Sequence, residues 1–573
     1  MSTAQNESTS ETPEAGMPPH RATPSEQHGY RTGGHDHHFA GAMAGAIRVV
    51  SSLTLLSRFA GLARDVATAH IFGSGPTASA FRAAYAIPNL FRRLFGEGAL
   101  SAAFLPEYTR LVKNGSPVAP RLASLVCWLL TLVTGVLTLV LEGVLLLILS
   151  IAPGDADRAL SLKLMMLMLP MMPMVCITAI LGGMLQVHGR FGPPAAAPIL
   201  LNVFQIAAGA LFFVGFINDA STMAYIVGAA AGLASIAQVL WSLHALRGSV
   251  AWTHVYDGAA ESARLILKRF VPVLLGLGTL QLNTMLDVVI AMWPIWVGPL
   301  MFGLKHPLDD ASNGILSYTQ ALYQFPLGVF GLAVATAVFP LLSRAADDGE
   351  LFLSTLRRGL RLSLFIGLPA SLGLILVRHD LVAVVYSGSK TGFGPDAIGR
   401  AANVLMGFAP AVWAYSLNHV YTRAFYAKGD TSTPMKLAVC MVALNLTLNL
   451  TLLWSLREAG LAWATAISAT VQCLILGWLC SRRLGVRIID AATLRAFASI
   501  AVVTLAMSAA VFTLQWSLPE ANRWWPHAWR LLAACGVGAI VFTAAAWVLK
   551  LPELRWLLQR GVGRGNPGLV SAE

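Results

Sequence analysis

The sequence predicts an all-α polytopic membrane protein of about fourteen transmembrane helices, arranged as two lobes of about six helices each plus a C-terminal helix pair. Three observations predict it. Hydrophobic residues make up 56% of the 573 residues and charged residues only 12%, against about 25% charged in a soluble domain. The mean hydropathy of +0.65 means helices that are apolar all round and not along one face. Apolar runs long enough to cross a bilayer, which takes about 20 residues, recur from residue 44 to residue 549, and their connecting loops alternate between arginine-rich and arginine-poor.

Residues 1–42 are polar, rich in Ser, Pro, Gly and His, and contain no apolar run. They are neither a signal peptide nor a core, and disorder is expected. His35, His37 and His38 offer metal-ligating nitrogens, but a histidine cluster in such a tail is a compositional feature first. The spans then follow at 44–72, 79–113, 122–151, 159–188, 194–217, 221–247, 262–292, 312–345, 351–387, 395–428, 433–455, 458–483, 491–516 and 527–549. The expected organisation is an N-lobe at 43–250, a C-lobe at 251–485, a helix pair at 486–550, and a cytoplasmic tail at 551–573.

Loop charge orients the chain. Arg110, Lys113, Arg121, Arg190, Arg247, Arg264, Arg344, Arg357, Lys428, Arg482 and Arg483 fall on one side. The opposite loops are uncharged at 73–76, acidic at Asn218-Asp219 and mixed around Lys305, Asp309 and Asp310; the loop 388–400, with Lys390 and Arg400, fits least well. Cytoplasmic loops carry the excess Lys and Arg, so both termini are expected in the cytoplasm. The net charge of +12 then reflects topology and not nucleic-acid binding. The six cysteines all lie in apolar stretches without metal-ligand spacing, and no disulfide framework is implied. An internal repeat is visible as Arg190-Phe-Gly-Pro193-Pro194 followed by Asn202, against Lys428-Gly429-Asp430-Thr-Ser-Thr-Pro434 followed by Asn445. Transporters built from repeats hold substrate between the halves, near the midplane.

Charges inside the spans carry the functional signal. An ionised side chain near the bilayer centre costs roughly 2.5–3.5 kcal/mol on insertion scales, so it usually lines a polar cavity. Arg58 lies about 21 Å along the first span, Arg92 about 20 Å along the antiparallel second, and Arg64 about 9 Å further outward than Arg58. Guanidinium groups match phosphate oxygens in a bidentate fork, and three around one cavity suit a pyrophosphate. The other reading is a set of buried ion pairs, Arg58 with Asp65 and Arg93 with Glu97. Asp287 stands alone in the seventh span behind Gln281 and Asn283, and a lone intramembrane carboxylate suggests a cation or proton site. Asn445 and Asn449 share a helix face, and with Thr465 they could supply oxygen ligands to a hard cation or simply join helices by hydrogen bonds. Gly388-Ser-Lys390-Thr391 lacks the glycine of a phosphate loop before its lysine, and no nucleophile sits beside a base. The expectation is a transporter and not an enzyme, without a cofactor, driven by an Na+ or H+ gradient, the membrane potential or the substrate gradient.

Several of these stretches together resemble the MurJ (MviN) family of lipid II flippases, within the multidrug/oligosaccharidyl-lipid/polysaccharide exporter superfamily. They are Ser57-Arg58-x-x-Gly61-x-x-Arg64-Asp65, Phe72-Gly73-x-Gly75, Pro88-Asn89-x-x-Arg92-Arg93-x-x-x-Glu97-Gly98-Ala99 and Ala103-Phe104-x-Pro106. Looser matches are Gln281-x-Asn283-x-x-x-Asp287, Phe325-Pro326-x-Gly328, Ala335-Thr336-x-x-x-Pro340 and Arg423-Ala-Phe-Tyr426-Ala-x-x-Asp430-Thr-x-Thr433-Pro434. The resemblance spans about 44–550. It implies a bacterial inner-membrane protein that moves undecaprenyl-pyrophosphate-linked disaccharide-pentapeptide (lipid II) from the cytoplasmic to the periplasmic leaflet by alternating access. The implied partners are lipid II, the phospholipid bilayer and cell-wall synthesis enzymes. It also implies that Arg58, Arg64 and Arg92 line the cavity, joined by Arg93 and Glu97, and that Asp287, Asn445, Asn449 and Thr465 correspond to a sodium site of some members.

The chain departs from the family in places. An acidic residue followed by Arg is usual in the eighth span, where this chain reads Tyr318-Thr319-Gln320-Ala321, so a cavity cation is absent at Ala321. Ser79 replaces an Asp, and Asn449 stands where sodium-binding members can carry Asp. Another polyprenyl-pyrophosphate-linked glycan is therefore an alternative substrate. A cation-coupled drug exporter on the same scaffold would want an apolar or acidic cavity, and a non-transporting scaffold for cell-wall enzymes would not need buried Arg58 and Arg92.

Overall fold

The computed structural model describes residues 33–96, 99–388, 391–484, 487–521 and 523–558. The chain divides into two compact units, 1–48 and 49–573, and every site discussed below belongs to the second. Helices follow one another as α1 (Gly33–Phe72), α2 (Pro76–Phe91), a π turn at Arg92–Gly96, α3 (Ala99–Lys113), α4 (Val118–Ile151), α5 (Ala156–Met168), α6 (Met171–Val187), α7 (Gly192–Phe213) and α8 (Ala220–Ala245). Then come α9 (Ala259–Trp296), a two-residue hairpin of β1 (Leu300–Met301) and β2 (Leu304–Lys305), α10 (Ser312–Pro326), a second π turn at Leu327–Gly331, α11 (Leu332–Arg344) and α12 (Gly349–Tyr386). The chain continues through α13 (Pro395–Phe408), α14 (Ala411–Ala427), α15 (Ser432–Leu456), α16 (Glu458–Leu484), α17 (Ala491–Ser517), α18 (Trp524–Val548) and α19 (Pro552–Leu558).

Among the described residues, ten segments are long and apolar enough by themselves to cross a bilayer: α4, α5 with α6, α7, α8, α10 with α11, α12, α15, α16, α17 and α18. The other four expected spans coincide with α1, α2 with α3, α9, and α13 with α14. Those four hold Arg58, Arg64, Asp65, Arg82, Arg92, Arg93, Asp287 and Arg400, which lowers their apolarity for a reason the site explains. The protein is a multi-pass membrane protein, and side chains such as Leu139, Phe213, Leu505, Trp516, Trp529 and Trp547 are exposed where only lipid could cover them.

Two boundaries differ from expectation. The first helix begins at Gly33 and not near 44, so residues 33–42, expected in a disordered tail, are helical. The alanine-rich stretch 40–46 favours that extension. Residues 1–32 lie outside the described residues. Past the last long helix, the expected tail forms α19, whose Glu553 is buried and accepts from Arg361 Nε of α12 at 2.5 Å. Arg358 and Arg361 stack on Trp556.

The halves repeat their irregularities in order. The second span of each half is interrupted by a π turn, at Arg92–Gly96 and at Leu327–Gly331. The fourth is broken at a proline, Pro170 between α5 and α6 and Pro410 between α13 and α14. A proline lacks the N–H that would continue the helix, and single π turns recur at functional sites.

At one end of the bundle, Arg400 binds Asp309 and Glu458, and Arg457 binds Asp309. Burial by itself raises the Asp309 carboxyl, but the hydrogen bonds and charge of Arg400, with Ser312 and Arg457, hold it below the ordinary carboxylate range. At this end the lobes share one core, in which Phe72, Phe81 and Met165 pack with Tyr318, Tyr386 and Phe393. Asn313 Nδ2 donates to the Ser79 carbonyl at 2.8 Å, Gly314 N donates to Ser79 Oγ at 2.9 Å, and His70 Nε2 lies 3.0 Å from the Ser387 carbonyl. At the arginine-rich end the cores are separate. One gathers Phe104, Tyr108, Leu122 and Ile180 with the start of α9, and the other gathers Phe352, Leu360, Tyr421 and Val503. The lobes are thus joined at the arginine-poor end and part toward the other.

Ser79→Ala removes the acceptor of the buried Gly314 N–H, and an orphaned buried donor costs about 1–3 kcal/mol. The expected result is a lower thermal unfolding midpoint in detergent at unchanged expression. An unaltered midpoint shows that this bond does not hold the lobes together.

Candidate functional site

Helix α2 presents a stripe at helical spacing: Arg82, Tyr85 with Ala86, Asn89 with Leu90, and Arg93. Positions three and four apart share one face of a helix, and this face meets α1, α9 and α10 around a cavity of about 190 Å³. Asp65 is buried at its wall and takes two arginines on one oxygen, Arg64 Nη2 at 2.8 Å and Arg82 Nη1 at 2.8 Å. Arg64 also donates to Tyr85 Oη at 3.3 Å and lies over that ring. Arg82 lies over the Tyr318 ring and donates to the Ser317 carbonyl at 3.2 Å. Two guanidinium groups against one carboxylate leave a positive charge in excess. The alternative reading that pairs Asp65 with Arg58 does not hold: Asp65 faces α2, and Arg82, which sequence reasoning passed over, is its second partner.

A larger cavity of about 650 Å³ continues from the first, sharing Arg93, Gln281, Thr284, Gln320 and Gln324 with it. Its walls come from both lobes. Arg58 reaches it from α1 and Arg93 from the first π turn, opposite Leu327 and Gly328 of the second. Both π turns thus contribute to the lining of one cavity. Arg93 Nη1 lies 3.4 Å from Gln281 Oε1. A Cβ at Gly328 would collide with the Arg58 guanidinium, so the bare α-carbon there is the seat on which Arg58 rests.

Arg92 is not among the residues lining either cavity. Its Nε and Nη2 donate to Asn89 Oδ1 at 3.1 and 2.9 Å, and it lies near Cys176 of α6, inside the N-lobe. Arg93, not Arg92, continues the Arg82–Asn89 stripe along the cavity. Glu97 and its expected pairing with Arg93 lie outside the described residues. Gln320 and Ala321 both line the smaller cavity, so the position where the family's arginine was expected does face the site.

Asp287 and the helix α15 asparagines come together as expected. Asn449 Nδ2 lies 2.6 Å from Asp287 Oδ1 and 3.0 Å from Asn445 Oδ1, all buried. Asp287, Asn445 and Thr465 open onto the larger cavity, and Asn449 lies behind them. Thr465 Oγ1 donates to the Leu461 carbonyl at 3.1 Å. Two buried amide atoms, Asn445 Nδ2 and Asn449 Oδ1, have no partner. Turning the Asn449 carboxamide by 180° would place its oxygen beside those of Asp287 and Asn445. One carboxylate with neutral oxygens is a donor set that fits a hard monovalent cation.

Known proteins match this architecture closely. A family profile described as "Lipid II flippase MurJ" covers residues 68–529. A Rhizobium tropici protein named "Probable lipid II flippase MurJ" is 32% identical over 443 residues, 75% of this chain and 78% of its own length. A Rickettsia prowazekii (strain Madrid E) protein of the same name is 29% identical over 430 residues, 74% of this chain and 80% of its own. Among solved structures, "Lipid II flippase MurJ, inward closed conformation" superposes with a TM-score of 0.72 at 21% identity, covering 89% of this chain and 99% of that one. A multidrug resistance MATE family transporter of the MOP superfamily, inward-facing, superposes at 0.61 with 14% identity, covering 77% and 98%. With a profile matching most of its length, two lobes joined at one end and a cationic cavity between them, the chain belongs to the lipid II flippase MurJ family.

Proposed function

We propose that the protein is a flippase that moves lipid II across the bacterial inner membrane by alternating access, with both termini in the cytoplasm. One observation carries this reading. A cavity between the lobes holds Arg58 and Arg93 and adjoins the Arg64–Asp65–Arg82 cluster, while the lobes share one core at the arginine-poor end. The arginine-rich end faces the cytoplasm on the positive-inside rule, which is where the precursor is made. A pyrophosphate entering from that side meets Arg58 and Arg93, while Arg64 and Arg82 supply a further positive field from behind. Arg92 supports the site from the N-lobe interior. Rocking of the lobes about the Ser79–Gly314 contact would then expose the bound headgroup to the other side. The polyprenyl tail stays in lipid, along the face that α17 and α18 present.

Energy coupling runs through Asp287 on this reading. Asp287, Asn445, Asn449 and Thr465 would hold Na+, or Asp287 would hold a proton, at the join between α9 and α15. The charge of such a cation would offset the buried carboxylate in one conformation of the lobes. With a single carboxylate, sodium would be held weakly, since ligand charge is a main determinant of cation affinity. Cell-wall synthesis enzymes that supply or consume the precursor are the proposed partners.

The decisive experiment depletes a cell's native flippase and asks whether this chain restores exposure of lipid II on the periplasmic face. No restoration by a well-expressed protein rejects the reading. Within it, Arg58→Ala is expected to abolish transport at normal membrane abundance. Arg58→Lys is expected to rescue only partly, because lysine lacks the bidentate fork; full activity of Arg58→Ala removes Arg58 from the site.

Gly328→Ala is expected to lower transport several-fold by pushing the Arg58 guanidinium off its seat. Combined with the partly active Arg58→Lys it should add little, as two changes in one contact do not sum. Additive losses would separate the two residues. Asp287→Asn is expected to impair transport and flatten any dependence on sodium or external pH. Transport indifferent to this change at all sodium concentrations would leave Asp287 a structural hydrogen-bonding group.

A further inference from the structure

Arginines explain how a cavity of this kind holds a pyrophosphate, but they do not occupy most of its wall. Away from Arg58 and Arg93 the larger cavity carries, beside apolar residues such as Leu332, Met441 and Val442, a set of carboxamides and hydroxyls drawn from three helices: Gln281 on α9, Gln320 and Gln324 on α10, and Gln472 with Ser468 on α16. The spacing is deliberate in helical terms. Gln320 and Gln324, and likewise Ser468 and Gln472, stand four apart and so share a face. Gln324 is exposed although it sits in the middle of an apolar bundle, and the exposure is to the cavity.

The wall is also backed. Tyr323, between the two α10 glutamines, is buried with its ring stacked on Phe408 at 4.6 Å. Asn418 Nδ2 donates to the Ala469 carbonyl at 3.0 Å and lies 3.5 Å from Gln472 Oε1. Gln472 itself lines the cavity. Primary amides within lipid-embedded helices are costly unless they meet partners, and these are held toward a space large enough for a ligand. The carboxylate that shares this lining, Asp287, is occupied with Asn449.

We propose that this amide wall is the headgroup subsite, reading the acetamido groups and peptide links of the glycopeptide, with Gln324 and Gln472 as its specificity-determining residues. The proposal rests on the lipid II reading and deepens it. A carboxamide side chain offers one acceptor and two donors, so it can bond both the N–H and the C=O of an acetamido group or a peptide link at once. A carboxylate or an arginine can satisfy only one of the two. The cavity is then divided by chemistry: guanidinium groups for the pyrophosphate at one side, amides for the acetamido groups and peptide links at the other.

The test measures binding to the purified full chain in lipid nanodiscs, with lipid II and with undecaprenyl pyrophosphate, which lacks the sugar and peptide. Gln324→Ala and Gln472→Ala are each expected to weaken lipid II by about tenfold, the size of one lost hydrogen bond to a well-held ligand. Both should leave undecaprenyl pyrophosphate unaffected, whereas Arg58→Ala should weaken both ligands. Restoring an amide one methylene shorter, Gln324→Asn, should recover part of the loss. If the two variants weaken both ligands equally, or leave the affinity ratio where it was, the wall is helix-joining structure and the proposal falls. If the unaltered protein binds neither lipid, the flippase reading itself falls, which is a different result.

Discussion

Everything in this protein follows from keeping several guanidinium groups inside a bundle of apolar helices. An ionised group there costs several kcal/mol unless it is paired or hydrated. The chain meets that cost in two ways. Arg64 and Arg82 are compensated, sharing the buried Asp65 and lying over the rings of Tyr85 and Tyr318. Arg58 and Arg93 line a cavity between the lobes. The pair on Asp65 is a fixed positive field beside that cavity. The lobes cannot close into one continuous apolar core because these groups stand between them, so the cavity is a consequence of the charge as much as a container for it.

The two π turns deepen the same theme. An extra residue in a helical turn shifts the face on which later side chains stand and leaves backbone groups unshared. In the N-lobe it coincides with Arg93; in the C-lobe it brings Gly328, with no side chain, against Arg58. Equivalent irregularities in the two halves therefore meet at one place and do different work there, one supplying a cation and the other supplying room for one. Helix α9 links this place to the rest. Its first half packs against α3 and α4 in the N-lobe, and its second half packs against α15, carrying Gln281 and Asp287 along one helix. An event at Asp287 and an event at the headgroup are consequently felt by the same rigid element.

Much of this was legible beforehand because membrane burial makes sequence unusually explicit. Apolar runs of span length located the helices, and the alternation of loop charge located their ends. The intramembrane charges singled out α1, α2 and α9 as the site-bearing helices, and the spacing of Asn445 and Asn449 put them on the face that meets Asp287. The misreadings were azimuthal. Arg92 was placed at the cavity from axial depth, yet a helix has a full circle of directions at each depth, and the alternative pair of Arg58 with Asp65 was read from a seven-residue spacing that ignores the neighbouring helix. The stripe from Arg82 through Tyr85 and Asn89 to Arg93 was present in the sequence at regular spacing, and it would have favoured Arg93 over Arg92.

By itself the sequence determined that this chain lives in a membrane, that its helices run in two related halves, and that guanidinium groups and one lone carboxylate lie at depth. Composition and periodicity suffice for that, because the cost of burying polar groups acts on each helix separately. Only the tertiary structure decided which charges neutralise one another, that Asp65 takes both Arg64 and Arg82, and that Gly328 seats Arg58. It also decided that glutamines scattered over α9, α10 and α16 share one wall. Those are relations between helices far apart in the chain, set by packing direction and by local departures from α-helical register, and no single segment contains them.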